Sequence, residues 1–578
     1  MKKSNLVIAT LGLILNLLSF LAVCQSDPFS TTTVNKLFIT EGEIYFTFKI
    51  RSKAEVENLT KIISIDNVKP DLTIYAYANQ PSFQKFVAYH IPYTILPHPA
   101  TIVQDDWLYD KTKTKAPFAW NYYPNYDTYI SLMNDFASNH PDICKLIEFG
   151  TSIQGRKLLC LKISDNVNID EAEPQFLYTS SIHGDELTGY ILMLHLADYL
   201  LSNYATNPRV KNMIDNMEIF INPLANPDGT FHGGNNSVSG AIRGNASNVD
   251  LNRNFPDPED GQHPDGNAWQ QETLADMAFA ENHHFIMSAN FHGGSEVMNY
   301  PWDTWAKLAA DNNWWIDVSR EYADTVHAHG PSGYFTDEQN GVTNGYAWYT
   351  ISGGRQDYMN YFQQCREVTT ELTSDKTPAA SQLLGFWEYN YRSLLNYLEE
   401  ASYGVEGIVT DSVTGLPLHA KIFIFGHDMD SSEVYSHLPN GNYNRLLYPG
   451  NYNITFSSPG YVTRTIHNVS VIKHQQTVLN VKLVDVMTSG DRISVEPLIS
   501  LYPNPSSGPV MLKIYSQQDR ECTVSLITPE GKLVKQQKMS LNQGENQMKL
   551  DTEGLGQGIF WCKIATDDGI AVRKLIRK

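Results

Sequence analysis

Three short strand-like runs set the tightest limit on what this chain can fold into. Residues 175–181 (QFLYTSS), 285–291 (FIMSANF) and 367–372 (EVTTEL) each read as a strand buried on both faces. His183 and Glu186 follow the first run, His292 follows the second, and Glu371 lies within the third. Strands of that kind belong to a largely parallel sheet with helices on both faces, and such a sheet carries its site at the carboxyl ends of its strands. Helical patterns at 126–138, 187–201 and 383–400 supply the covering layers. A lone H-x-x-E pair arises by chance in many chains, and any one of these residues alone reads equally as a turn former or a satisfied core histidine. Three polar groups at corresponding strand ends are much harder to obtain by accident.

Around this α/β block, assigned to residues 118–401, the 578-residue chain divides further. Residues 28–105 read as a small α+β unit, with strands at 43–50, 72–78 and 91–96 and helices at 54–65 and 82–89. A Pro- and Asp-rich connection at 96–116 follows it. Residues 402–486 break into short strands between turns, the pattern of a β-sandwich with almost no helix. A polar hinge at 488–496 leads to a second all-β unit at 497–578, which ends in a basic tail. The net charge of -20 argues against nucleic-acid binding and against docking on anionic lipid, and otherwise reads as solubility.

Residues 1–24 read as a signal peptide: Lys2 and Lys3, an apolar stretch over 6–23, then small residues before Gln25. A membrane anchor, or a lipoprotein signal using Cys24, competes with that reading; no later segment is long and apolar enough to span a bilayer, so the mature chain is expected to have no transmembrane segment. The expected location is secreted or cell-surface. Cys144, Cys160, Cys365, Cys522 and Cys562 remain after the leader, with no CxxC pair to suggest a zinc ribbon. Cys522 and Cys562 fall in two strand-like runs of one unit and are candidate disulfide partners.

His and Glu three apart on a strand-to-helix turn can face one point, as a zinc site requires. At this stage longer motifs become recognisable. HGDE (183–186), NPDG (226–229), VDLNRNFPD (249–257), SANFHGG (288–294), NGYAWYTISGGRQDY (344–358) and EVTTEL (367–372) occur in one order. Together they make the chain resemble the zinc metallocarboxypeptidases, in particular the regulatory N/E-type subfamily. Residues 402–486 resemble the transthyretin-like domain that follows the catalytic domain there, with RLLYPGNYNITFSSPGY (445–461) as its signature. Residues 497–578 resemble the C-terminal sorting domains of bacterial type IX secretion, through LYPNPSSG (501–508) and a GIFWCKIATDDGIAVRKLIRK ending (558–578). The partner implied is the secretion machinery; a surface-binding β-module is the competing reading.

The resemblance implies one Zn2+ held by His183, Glu186 and His292, with a position left for water. Glu371 corresponds to the general base and acid that works on the zinc-activated water, and Arg243 to the residue that stabilises the oxyanion. Asn252 and Arg253 correspond to the clamp on the substrate's terminal carboxylate, which suits a bidentate guanidinium, and Tyr349 to the tyrosine that closes over the bound end. Asp303 and Gln356 correspond to the specificity pocket, where a carboxylate favours Lys or Arg at the released position. The expected function is a secreted carboxypeptidase acting on peptide or protein C-termini. A zinc amidohydrolase of another acyl or cell-wall substrate, or a non-catalytic peptide-binding relative, is the alternative. Two positions depart from the pattern. Asp185 replaces the usual asparagine, and Arg355 stands where methionine is usual, where a cation opposes basic substrates unless it points away. The unit at 28–105 is read as an accessory domain or as a pro-segment covering the cleft.

Overall fold

The computed structural model describes residues 32–102, 108–109, 119–486, 499–516, 518–529, 532–566 and 569–578. The expected leader and the hinge at 488–496 lie outside the described residues. Two compact units are present, the second being built from the last segment of the chain.

The first unit begins with a four-stranded antiparallel sheet. Its strands are β1 (Glu43–Lys49), β2 (Ser64–Val68), β3 (Thr73–Asn79) and β4 (Tyr93–Leu96), in the order β2-β3-β1-β4. Phe46, Phe48, Phe83 and Phe86 fill its core against helices α1 (Thr32–Glu41), α2 (Ala54–Leu59) and α3 (Gln80–Val87). Here the structure corrects the sequence reading. The helix expected over 54–65 stops at Leu59, and its last part becomes the start of β2. Ile62, Ile63, Ile65 and Val68 are β-branched, which lowers helix propensity and suits a half-buried strand.

The main body is an eight-stranded mixed sheet. Its strands are β5 (Cys144–Thr151), β6 (Lys157–Ile163), β7 (Gln175–Ser180), β8 (Glu218–Asn222), β9 (Phe285–His292), β10 (Ser295–Tyr300), β11 (Val342–Asn344) and β12 (Arg366–Thr373), ordered β11-β10-β12-β9-β7-β8-β6-β5. Strands β12, β9, β7 and β8 run parallel at its centre, and β7 and β12 are buried along their whole length. Helices α4 (Tyr126–Asn139), α5 (Thr188–Asn203), α6 (Gln271–Glu281), α7 (Asn312–His329), α8 (Arg355–Phe362) and α9 (Leu383–Glu399) surround it. Separate apolar clusters lie on the two faces, one around α5 and α9 and one around Phe220, Phe279 and Tyr358. The expected α/β class is what forms.

Residues 404–483 form two small sheets, and no helix falls among them. This sandwich is fastened to the main body by buried charge: the Arg445 guanidinium lies 2.9 Å from Asp311 and 2.5 Å from Asp428, and Asp311 also meets Arg366 at 2.8 Å. The second unit packs a three-stranded against a four-stranded sheet around Leu512, Val524, Cys562 and Leu575. The expected Cys522–Cys562 pair does not form; all five described cysteines are free and buried. The strand register explains this, since Cys562 stands opposite Leu526 while Cys522 stands opposite Met539.

Candidate metal centre and substrate cleft

The three anticipated ligands come from neighbouring strands. β7 ends at Ser180, and the chain turns through Ser181, at φ 55°, into the HGDE segment. Gly184 is required there, because a Cβ would lie 2.3 Å from the Gly229 backbone. NPDG is therefore a brace: the Asn226 amide donates to Ile182 O and Gly244 O and holds the ligand turn in place. On the adjacent strand, β9 ends in His292, and the register sets it beside Glu371 of β12.

His183 Nδ1 lies 3.0 Å from Glu186 Oε1, His292 Nδ1 2.8 Å from Glu186 Oε2, and the two imidazole Nδ1 atoms 3.0 Å apart. Tetrahedral ligands at about 2.0 Å from Zn2+ stand ~3.3 Å apart, so this donor set fits the ion. The far ring nitrogens are also held, His183 Nε2 by Asp250 at 3.0 Å and His292 Nε2 by the Asn290 side chain at 2.9 Å. Both contacts orient the rings with Nδ1 toward the centre. Burial pushes His292 down to about 4, so its ring is neutral as a ligand must be. His183 is held above its usual value, since Glu186 and Asp250 outweigh burial and the nearby Arg243.

Glu371 lines the same cavity, and its Oε2 is buried with no hydrogen-bond partner among the described residues. Burial, then the charge on Glu186, holds its carboxyl well above the usual range. Arg243 lies beside the ligands, its Nε 3.0 Å from Asp250 and its Nη1 3.4 Å from Glu186. Asn252, Arg253 and Tyr349 line the cavity as well. Asn252 Oδ1 accepts from Arg355 N at 2.8 Å.

Asp303 is 2% exposed and reaches the same cavity. Its Oδ1 accepts from Asn299 at 2.9 Å and from Gln356 at 3.1 Å, and burial raises its pKa to about 6. Gln356 stands behind Asp303 and also accepts from Thr369 N, so it fixes the carboxylate. Gly345 makes room for it: a Cβ there would meet Asp303 Oδ1 at 1.8 Å. Arg355 points away from the pocket, paired with Asp276 at 2.8 Å and with Glu367. Its cation is neutralised inside the fold by these two carboxylates.

Sequence reasoning did not find the residues of β2. Asp66 Oδ1 lies 2.6 Å from Lys376 Nζ, and its carboxylate 3.5 Å from Arg243 Nη1. Ile65 O accepts from Arg253 Nη2 at 3.2 Å, and Asn67 donates to Gly294 O at 3.2 Å. Tyr77 of β3 donates to Asp185 at 2.9 Å, which gives the replaced asparagine a partner, and Glu43 of β1 accepts from Arg243 N at 2.6 Å. Tyr349 packs against the same apolar cluster as β1 and β3. The N-terminal sheet thus lies in the cleft. Lys376 and Asn299 also went unnoticed in the sequence; only the charge of the first, just beyond β12, and the polarity of the second gave any signal.

Residues 129–393 match the family model described as zinc carboxypeptidase, residues 404–484 the carboxypeptidase regulatory-like domain, and residues 500–578 the secretion system C-terminal sorting domain. Over 397 residues the chain is 36% identical to carboxypeptidase D of Homo sapiens, an alignment covering 65% of this chain and 28% of that protein. The chain therefore spans under a third of the length of that larger relative. It is 33% identical over 401 residues to the carboxypeptidase N catalytic chain of Mus musculus, covering 62% of this chain and 85% of that one. Among solved structures, carboxypeptidase A from Helicoverpa armigera matches with a TM-score of 0.50 at 17% identity, over 63% of this chain and 98% of that one. That likeness is one of fold.

Proposed function

Because the chain belongs to the zinc carboxypeptidase family, we propose that it releases single residues from peptide C-termini, with Lys or Arg favoured at the released position. One observation carries the basic preference: the buried Asp303 carboxylate and the Arg253 guanidinium line one cavity. Arg253 suits the terminal carboxylate, and Asp303 is then left for a cationic side chain. An apolar side chain leaves that buried charge unpaired.

His183, Glu186 and His292 would hold Zn2+, which would supply a Lewis acid and lower the pKa of water. The chain's own groups do the rest. Arg253 and Asn252 fix the substrate end, so that only the last peptide bond reaches the centre. Arg243 offers a guanidinium where negative charge develops on the carbonyl oxygen. Glu371 accepts a proton from the attacking water and hands it to the leaving amine; its raised pKa favours holding that proton between the two events. Tyr349 closes over the bound end. The test is release of the last residue from matched peptides ending in Lys, Arg, Phe or Glu, with and without a zinc chelator. Chelator-sensitive release of Lys and Arg alone is expected; release of Phe at equal rate overturns the pocket.

A second reading is favoured by the position of β2, and makes residues 28–105 a pro-segment. A substrate must end at Arg253, whereas β2 places Ile65 at Arg253 and then runs away from it through Asp66 to Asn67 at Gly294. It therefore crosses the cleft with the opposite polarity to a substrate, which keeps its own peptide bonds out of register for hydrolysis. Cleavage of the connection at 96–116 is expected to raise activity, and no gain counts against latency. The match of residues 500–578 to a sorting domain supports export to the surface or beyond, through the secretion machinery. Normal release of a chain lacking 501–578 counts against it.

A further inference from the structure

The anion that β2 brings into the cleft is held by cations of the catalytic block. Asp66 comes from outside the catalytic block, yet its carboxylate is held by two cations of that block, Lys376 at 2.6 Å and Arg243 at 3.5 Å. The three side chains are 5% exposed or less. Tyr45 also donates to Asp66 at 3.2 Å, but it travels with the N-terminal sheet. Lys376 also meets Glu186 at 2.6 Å, stands 5.1 Å from the centre of the Tyr77 ring and passes the Gly294 backbone, while Asn252, Arg253, Asn299 and Asp303 build the pocket for the released residue. Lys376 and Arg243 thus stand by the metal ligands and the Gly294 turn. A substrate chain entering toward Arg253 passes there with the residues before its scissile bond.

Removing the N-terminal sheet takes Asp66 away and leaves Lys376 with Glu186, and Arg243 with Asp250 and Glu186. Both cations then share Glu186, so the cleft has one counter-charge fewer around two side chains built to be nearly buried. Water reaching the opened cleft relieves part of that cost, and a carboxylate placed where Asp66 was relieves more. We propose that Lys376, with Arg243, forms an anion subsite on the acyl side of the scissile bond, which selects substrates with Glu or Asp next to the C-terminal Lys or Arg. This rests on the carboxypeptidase reading above and adds the second residue of the substrate class.

The test uses the full zinc-loaded chain, cleaved by limited proteolysis at 96–116, on peptides that end in Glu-Lys, Gln-Lys and Lys-Lys. Expected is a kcat/KM for Glu-Lys about tenfold above Gln-Lys, the size of one charge-assisted contact, with Lys-Lys lowest. Lys376→Met should bring the Glu to Gln ratio to near one, and Lys376→Arg should keep it. Each ratio is taken within one protein, so a general loss of rate cancels. A ratio near one in the unsubstituted enzyme, with terminal Lys still released from all three peptides, overturns the subsite and leaves the carboxypeptidase reading intact. A ratio that survives in Lys376→Met overturns the role of Lys376. If no peptide ending in Lys or Arg is cleaved, the carboxypeptidase reading fails and the subsite falls with it.

Discussion

Asp66 and Lys376 meet at 2.6 Å across the boundary between the N-terminal sheet and the catalytic block, both almost fully buried. Removing Asp66 takes one of the two carboxylates from Lys376, which keeps Glu186 at 2.6 Å, so the loss is only part of the about 3–5 kcal/mol of a fully broken buried pair. Asp66→Ala should therefore loosen β2 and raise release of terminal Lys by the intact chain about tenfold or more. Tyr77→Phe, which removes the contact to Asp185, should do the same to a smaller degree. Peptidase assays on the uncleaved proteins check this, and unchanged rates would show that β2 does not govern access.

The preference for basic residues should depend on pH. Burial raises the Asp303 carboxyl to about 6, so the group is charged above that pH and neutral below it. The ratio of Lys to Phe release is expected to fall as pH drops through about 6. Asp303→Asn should lower that ratio by roughly tenfold at pH 7.5, a cost of about 1.4 kcal/mol, and flatten its pH dependence. Parallel pH profiles on the two peptides give the answer directly.

Zinc retention should depend on the residues behind the ligands. Asp250 faces His183 Nε2 and Asn290 faces His292 Nε2. Once Nδ1 binds metal, each Nε2 carries a proton and requires an acceptor; for His292 the Asn290 amide, whose Nδ2 faces Nε2 and whose Oδ1 has no partner among the described residues, supplies it by turning over. Asn290→Ala and Asp250→Asn should each weaken zinc binding by about 10–100-fold. Competition with a chromophoric chelator measures it; His292→Ala should abolish stoichiometric binding.

Acid should loosen the contact between the catalytic block and the sandwich. His284 and His437 stack with ring centroids 4.5 Å apart, and burial lowers them to about 4 and about 3. Around them stand His283, His419, Lys162 and Asp170. A histidine whose folded pKa is depressed takes up its proton more readily when unfolded, so stability falls as pH drops below about 6.5. Between pH 7 and 5.5 the pair should cost about 2 kcal/mol, and His437→Phe should remove about half of it. Thermal melts at the two pH values test this.

Arg355 shows where reading the sequence stops. Its position near the pocket was plain from its spacing to Gln356, but its direction was not. Asp276 of α6 and Glu367 of β12 take its charge, and neither is its neighbour in the sequence. The same holds for β2. A short apolar run with isoleucines at 62, 63 and 65 fits a helix end or a strand start equally well by periodicity alone. Taking it as helix hid Asp66.

What the sequence determined by itself was the central sheet and the cluster of His183, Glu186 and His292 at its strand ends. β7, β9 and β12 are short strand-like runs, with His183 and Glu186 just after the first, His292 at the end of the second and Glu371 within the third, so local pattern and motif point to one arrangement. The tertiary structure alone decided what fills the cleft and which way each charge points. Asp66, Lys376 and Arg243 come from segments far apart in the chain, and their pairing is set by burial and by the search of each desolvated charge for a partner. Local periodicity carries no information about that search, because the partner of a buried charge is chosen by folding, not by sequence neighbourhood.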